Sequence, residues 1–312
     1  QRERQSPRSM ALRVLPQLLY GKEHAYGNPL TGSGTTESVT AITLDEIKNF
    51  QSTWFKANHS TMVIVGDTTL KEILPKVERA FGKWGTGETP VKNIANVENA
   101  EQPRIYLVDR PASEQSILFA ALLATPKANP DEIATEAMND IIGGMSTSRI
   151  NMNLREDKGW SYGAHSGLSG AKGQRLFYIF SSVQTDKTRE SIDEVMKELT
   201  TFVTSSPATG EELEKSVASN TLSLSGRWES SGAVMGSISQ IVQYGLPDAY
   251  FDEYAGKVDA LTLDEVRQIS NRIIKPDAIT WVVVGDRTII EEDLIKLGFG
   301  EINLIDADGN AL

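Results

Sequence analysis

The segment LREDKGWSY (residues 154–162) carries two residue types that could act together on a peptide. We expect a helix end carrying Arg155, a glycine turn, and a strand that begins near Tyr162. This order would bring a guanidinium and a phenol close together. The two groups could then hold a peptide carbonyl, with the arginine as a fixed fork of donors and the tyrosine donating to a developing oxyanion.

The same segment allows a purely structural interpretation, and spacing alone favours it. Arg155 could pair with its neighbours Glu156 or Asp157. Tyr162 could lie half-buried on its strand, as many strand tyrosines do. The residues by themselves leave both interpretations open.

A zinc site formed by this chain alone is not expected. The three histidines, His24, His59 and His165, are scattered, and none lies four residues from another on a shared helix face. Each is interpreted as a polar loop or surface histidine. The absence of cysteine also excludes thiol catalysis, disulfides and cysteine-ligated metal.

Serine and nucleotide chemistry lack their sequence signatures. No GxSxG elbow is present, and GGMS at 143–146 lies between two expected helices, where it predicts a tight corner that lets the helices pack closely. The two VGD pieces (65–67 and 284–286) lack GxGxxG spacing and are interpreted as structural turns.

The composition is that of a globular protein with an acidic surface. The net charge is −11 over 312 residues, which argues against nucleic acid as a partner. No run of 18 apolar residues occurs, so no membrane span is expected. The length is typical of two domains.

An internal duplication organises the chain. Residues 43–67 (TLDEIKNFQSTWFKANHSTMVIVGD) and 262–286 (TLDEVRQISNRIIKPDAITWVVVGD) align without a gap, and 10 of the 25 aligned positions are identical. Each copy predicts a helix capped by its first threonine and then a buried strand, here Thr61–Val65 and its counterpart. A repeat this widely spaced indicates two related domains, not a solenoid. Only 42 residues precede the first copy, so we expect the front of the first domain to be missing.

The remaining elements form groups of strands and helices. Helices are expected near 1–20, with an interruption at Pro16, and over 70–81, 131–142, 187–203 and 210–243. Strands are expected near 105–108, 115–124, 161–166 and 176–183, and a final helix near 289–297. Residues 85–101 lose periodicity and predict a linker.

The order of these pieces resembles the insulinase/pitrilysin zinc peptidases, whose motif is HxxEH. The resemblance covers nearly the whole chain. It rests on AYGNPLTGSGTTESVTAITLDEIKNFQSTWF (25–55), AFGKW (80–84), IIGGMSTSRINMNLREDKGWSYGAHSG (141–167), GEELEKSVASNTLSLS (210–225) and the two VGD pieces. Family members carry proline where Ala25 stands.

The resemblance implies a role for Arg155 and Tyr162. In the family, zinc is bound in one half, and the opposing half offers an arginine and a tyrosine with the spacing of these two residues. HxxEH is absent from this sequence. It was either in the missing front of the first domain or in the other half of a longer protein, and the tail EINLIDADGNAL, similar to the end of long two-half bacterial members, favours the second explanation.

Together these observations predict an α+β fold of duplicated metallopeptidase-type (LuxS/mitochondrial-processing-peptidase-like) domains, with mostly antiparallel sheet and helices on one face. Residues 1–84 would be the C-terminal part of a first domain, 85–101 a linker, and 102–312 a complete second domain. The expected function is the substrate-clamping, non-catalytic part of a zinc metalloendopeptidase. The alternative is an inactive binding or assembly subunit.

The expected partners are a zinc-bearing N-terminal half or subunit and a peptide substrate, with zinc held by that partner. Arg155 and Tyr162 are the predicted site residues. Family habit and the missing cysteines favour a periplasmic or exported location.

Overall fold

The computed structural model describes residues 2–312. Its α-helices are α1 (Pro7–Tyr20), α2 (Thr36–Ala41), α3 (Leu44–Trp54), α4 (Leu70–Phe81), α5 (Glu132–Asn139), α6 (Arg149–Asn151), α7 (Thr188–Val203), α8 (Gly210–Leu222), α9 (Ser231–Tyr244), α10 (Tyr250–Asp259), α11 (Leu263–Ile273) and α12 (Arg287–Ile295). Its strands are β1 (Arg104–Asp109), β2 (Gln115–Ala124), β3 (Ser161–Leu168), β4 (Arg175–Gln184), β5 (Thr280–Gly285) and β6 (Ile302–Ile305). Two helices continue as π-helix: α5 through Asp140–Gly144, and α6 through Met152–Asp157.

The six strands form one mixed sheet in the order β3-β4-β2-β5-β1-β6. β2 is antiparallel to both β4 and β5, and β3 is antiparallel to β4. β1 runs parallel to β5 and β6. β5, the strand of the second repeat copy, therefore lies between β2 and β1 and is buried throughout.

Both faces of this sheet are covered by helices. Successive residues of a strand point to opposite faces, so each strand contributes to two cores. On β2, Leu118 and Leu122 face a core formed with α5, α7, α11 and α12. Phe119 and Leu123 face a second core formed with α1. Burial on both faces accounts for the nearly continuous apolar run of this strand.

The helices of residues 102–312 lie on one face, as expected, while α1 lies on the other. This helix comes from the segment that we assigned to the first domain. It is not broken at Pro16, because a proline near the end of a 14-residue helix leaves the earlier turns intact. Ala11, Val14 and Leu15 of α1 are buried against the sheet.

Residues 36–84 differ from the rest of the protein, since α2, α3 and α4 contain no buried residue. The strand expected at Thr61–Val65 is wrong: these residues have no regular structure and form no ladder. A strand exists only when its backbone groups pair with neighbours, and no described residue supplies them here. Residues 85–101, the expected linker, are without regular structure.

The corner at Gly143 also differs from the prediction. A Cβ on this glycine would lie 2.5 Å from the backbone nitrogen of Ser166 on β3. The glycine therefore allows a helix to approach a strand, not a second helix. The sequence patterns also failed to indicate α10 and β6.

Candidate functional site

The two predicted site residues lie on consecutive elements at one edge of the sheet. Arg155 is in the π-helix that continues α6, and Tyr162 is the second residue of β3, the edge strand. Gly159 lies between them with φ +65°, a conformation that glycine adopts without strain. The expected order of helix end, glycine turn and strand start is confirmed.

A β-bulge shapes the start of β3. The pairing with β4 shifts in register between Ser161 and Ala164. The Ser161 hydroxyl accepts from the Gly163 nitrogen at 3.1 Å and donates to the Ser182 carbonyl at 2.7 Å. Bulges redirect side chains at sheet edges, and Tyr162 is 90% exposed.

Arg155 is also on the surface, with its side chain 51% exposed. Its Nε lies 3.2 Å from a carboxylate oxygen of Glu156. Ion pairs between exposed side chains contribute little to stability, about 0–1 kcal/mol. The structural interpretation is therefore half right: the pairing with Glu156 exists, but Tyr162 is not half-buried.

Two buried asparagines fix these elements in place. Asn151 accepts from the Ala164 nitrogen at 3.1 Å and donates to the Ser146 carbonyl at 2.6 Å, which ties the helix to β3. Asn153 donates to Glu194 at 2.9 Å and to Glu198 at 2.8 Å, both on α7. The hydrogen bond from Asn153 is the main reason why the pKa of Glu194 is lowered.

Our sequence reasoning missed both asparagines. The available signal was their placement in a helix interior, where asparagine is a poor helix former and needs side-chain partners. A π-helix in the same segment is a further unusual feature, and such segments frequently occur at functional sites.

None of the three histidines has a metal-binding environment. In His24, Nδ1 accepts from the Tyr26 nitrogen at 3.0 Å and Nε2 contacts the Ala95 carbonyl at 3.1 Å. The exposed His165 packs on Phe180 with ring centroids 5.1 Å apart. Within residues 2–312, no group of three or more histidine, aspartate or glutamate side chains could hold a metal ion. The described residues therefore do not fit zinc.

The family described as the peptidase M16 inactive domain matches residues 41–220, and the chain belongs to this family. The resemblance to zinc peptidases is thereby confirmed. The match includes the first repeat copy as well as Arg155 and Tyr162.

Bacterial proteins with related names align with much of the chain. An uncharacterized zinc protease of Streptomyces coelicolor is 22% identical, with 81% of this chain and 55% of the relative covered. A probable inactive metalloprotease of Bacillus subtilis is 17% identical, with 79% and 54% covered. The chain thus spans about half the length of these curated relatives.

Solved structures confirm the α+β fold. A peptidase M16 inactive domain from Pseudomonas fluorescens superimposes with a TM-score of 0.81 at 22% identity, covering 91% of this chain and 66% of that one. The periplasmic protease PqqL of Escherichia coli gives a TM-score of 0.67 at 15% identity, covering 91% and 32%. At these identities the similarity concerns the fold alone.

Proposed function

We propose that this chain is the substrate-clamping, non-catalytic part of a zinc metalloendopeptidase that hydrolyses peptides between two halves. The observation that carries the proposal is the exposure of Tyr162 at a bulged edge strand, with Arg155 exposed on the preceding helix. A tyrosine that is 90% exposed keeps both its ring and its hydroxyl available to a ligand or a partner.

In this proposal each side chain has a separate role toward the peptide. The Tyr162 hydroxyl donates to the carbonyl oxygen as negative charge develops on it. Arg155 would leave its weak pairing with Glu156 and hold a backbone carbonyl of the substrate with its fork of N–H donors. Zinc would belong to a partner half, because the described residues offer no site for it.

The test is Tyr162→Phe in the complete, assembled enzyme. If the hydroxyl donates only in the transition state, kcat should fall by about 10²–10³ while KM changes little. Tyr106→Phe on β1 is the matched control and should leave kcat unchanged. A Tyr162→Phe enzyme with normal kcat would contradict the clamp.

Arg155→Ala separates binding from chemistry in the same assay. A guanidinium holds the ground-state carbonyl as well as the transition state, so KM should rise together with any loss of kcat. Zinc content should stay constant in both variants. If both instead lower the melting temperature and leave turnover intact, their role is structural.

A second candidate function is an inactive binding or assembly subunit of the same fold. It is favoured by the Bacillus subtilis relative whose name describes a probable inactive metalloprotease. Peptide hydrolysis and bound zinc, measured on the native full-length protein, distinguish the two candidates. An assembled protein that binds peptide but neither contains zinc nor hydrolyses it would establish the second.

We further propose that residues 1–84 are the C-terminal part of a first family domain, and that residues 85–101 link it to a complete second domain, 102–312. The support is the duplication and the lack of buried residues in α2, α3 and α4.

A periplasmic or exported location is proposed from the similarity to the periplasmic protease PqqL. No helix among residues 2–312 is long and apolar enough to cross a membrane.

A further inference from the structure

A polar cavity of about 760 Å³ lies away from Arg155 and Tyr162. Its walls come from α5 and its π-helical extension, from the connection between β3 and β4, and from α8, α9 and α10. Leu168, the last residue of β3, lines it. Six residues of strand separate Leu168 from Tyr162, or roughly 20 Å at about 3.3 Å per residue.

Four charged side chains in this cavity neutralise one another. Lys127 Nζ lies 2.8 Å from Glu132 and 2.7 Å from Glu136. Arg175 donates through both terminal nitrogens to the two oxygens of Glu132. Burial opposes the charge on Lys127, but the two carboxylates outweigh it and raise the pKa of the lysine. The two positive and two negative charges balance one another, so we interpret these four side chains as structural.

Asp140 lines the same cavity without a cationic partner. Its Oδ2 accepts from the Ser216 hydroxyl and from the Asn220 amide, both at 2.7 Å. No lysine, arginine or histidine of the described chain lies within 4.0 Å of it. Burial raises the pKa of Asp140, and the nearby Glu136 adds to this effect. A cation beside this carboxylate would therefore be stabilised.

Arg227 is the complementary group. Its guanidinium carbon lies 5.1 Å from the ring centroid of Phe251 and 5.4 Å from that of Tyr254. The two rings fix the direction of the side chain. Among residues 2–312 no carboxylate forms an ion pair with Arg227. A half-buried guanidinium held in this way is available to an anion.

A short chain of contacts connects the two uncompensated charges. Asn220 donates to Asp140 and lies 3.4 Å from the hydroxyl of Tyr254, on whose ring Arg227 stacks. We propose that the cavity binds a zwitterion, a free amino acid or a short peptide. Its ammonium group contacts Asp140, and its carboxylate contacts Arg227.

The cavity chemistry supports this ligand class over others. A metal ion is disfavoured because Lys127 already occupies the position between Glu132 and Glu136. An apolar ligand is disfavoured because most of the lining side chains are polar or charged. The volume is ample for a peptide of two or three residues.

The experiment is calorimetric titration of the 312-residue chain at neutral pH with alanine, dialanine and trialanine. Two blocked forms of trialanine complete the series, N-acetyl-trialanine and trialanine amide. We expect one of the three zwitterions to bind with 1:1 stoichiometry. Each blocked peptide should bind at least about tenfold more weakly than free trialanine. This is the loss that accompanies one charge-assisted hydrogen bond.

Two variants assign the ends of the ligand. Asp140→Asn should abolish the preference for the free amine over the acetylated form. Arg227→Gln should abolish the preference for the free carboxylate over the amide. Asp259→Asn, an exposed residue at the end of α10, is the matched control and should bind as the unmodified chain does.

Several results would overturn the proposal. One is the absence of binding by all three zwitterions at millimolar concentration, and another is equal binding of free and blocked peptides. Unchanged selectivity in Arg227→Gln would do so as well, and this half-exposed position is tolerant if Asp140→Asn fails to fold. Tyr162→Phe should leave this binding intact, so a failure here is distinguishable from a failure of the clamp.

Discussion

Residues 43–67 and 262–286 are related in sequence but have different surroundings. Their local structure is the same: in each copy the first threonine forms a capping box with the glutamate three residues later. A short 3₁₀ turn follows each helix. Only the second copy continues into a strand within a sheet.

Burial separates the two copies most clearly. Phe50 is 58% exposed, whereas its counterpart Ile269 is 3% exposed. Met62 is 50% exposed, whereas its counterpart Trp281 is fully buried. Hydrogen bonds between near neighbours in sequence form the helix in both copies. The strand, in contrast, requires two neighbouring strands that only the second copy has.

Hydrogen exchange should give the largest difference between the copies. Amides of Val282–Val284 should open only on global unfolding, which for a typical domain means about 5–15 kcal/mol and more than a thousandfold protection. Amides of Val63–Val65 in the isolated chain should exchange almost without protection. In an assembly that supplies neighbouring strands to this segment, protection at Val63–Val65 should rise. Strong protection of Val63–Val65 in the isolated chain would contradict the expected difference between the two copies.

Matched core substitutions should give the next largest difference. Trp281→Ala removes a fully buried side chain and should lower the free energy of unfolding by about 3–5 kcal/mol. Met62→Ala, at the aligned position, should change it by no more than about 0.5 kcal/mol in the isolated chain. Urea unfolding followed by circular dichroism measures both. Equal losses would show that the first copy is packed as the second is.

Removal of the helix caps should give the smallest effect and the same one in both copies. Thr262→Ala and Thr43→Ala each delete a capping hydrogen bond and should cost about 1 kcal/mol of helix stability. Local amide exchange in α11 and α3 measures the two losses separately. Replacement by serine should restore most of the protection, because serine caps as well as threonine does. A loss confined to α11 would contradict the local origin of the caps.

The same distinction explains how much of the fold the sequence predicts. The helix Leu70–Phe81 and the strand Gln115–Ala124 have the predicted bounds, because their periodicity and end signals are local. The strand Thr61–Val65 could not be judged from its own residues. Its apolar pattern is correct for a strand, but a ladder depends on residues elsewhere in the protein.

The candidate sites show this limit in more detail. The order of Arg155, a glycine turn and Tyr162 follows from the sequence, but the exposure of Tyr162 depends on a bulge set by pairing with β4. Asp140 and Arg227 come from different elements, and no spacing rule connects them. Only the packing of α5, α8, α9 and α10 beside β3 and β4 brings them to one cavity.

Helix α1 has a consequence for how such a protein can be divided. The unit that repeats in the sequence is not the unit that folds, because residues 7–20 cover the sheet face formed by Phe119, Val282 and Val284. A fragment that begins at residue 102 would present that face to water. A division of the chain at residue 102 would therefore separate α1 from the apolar sheet face that it covers.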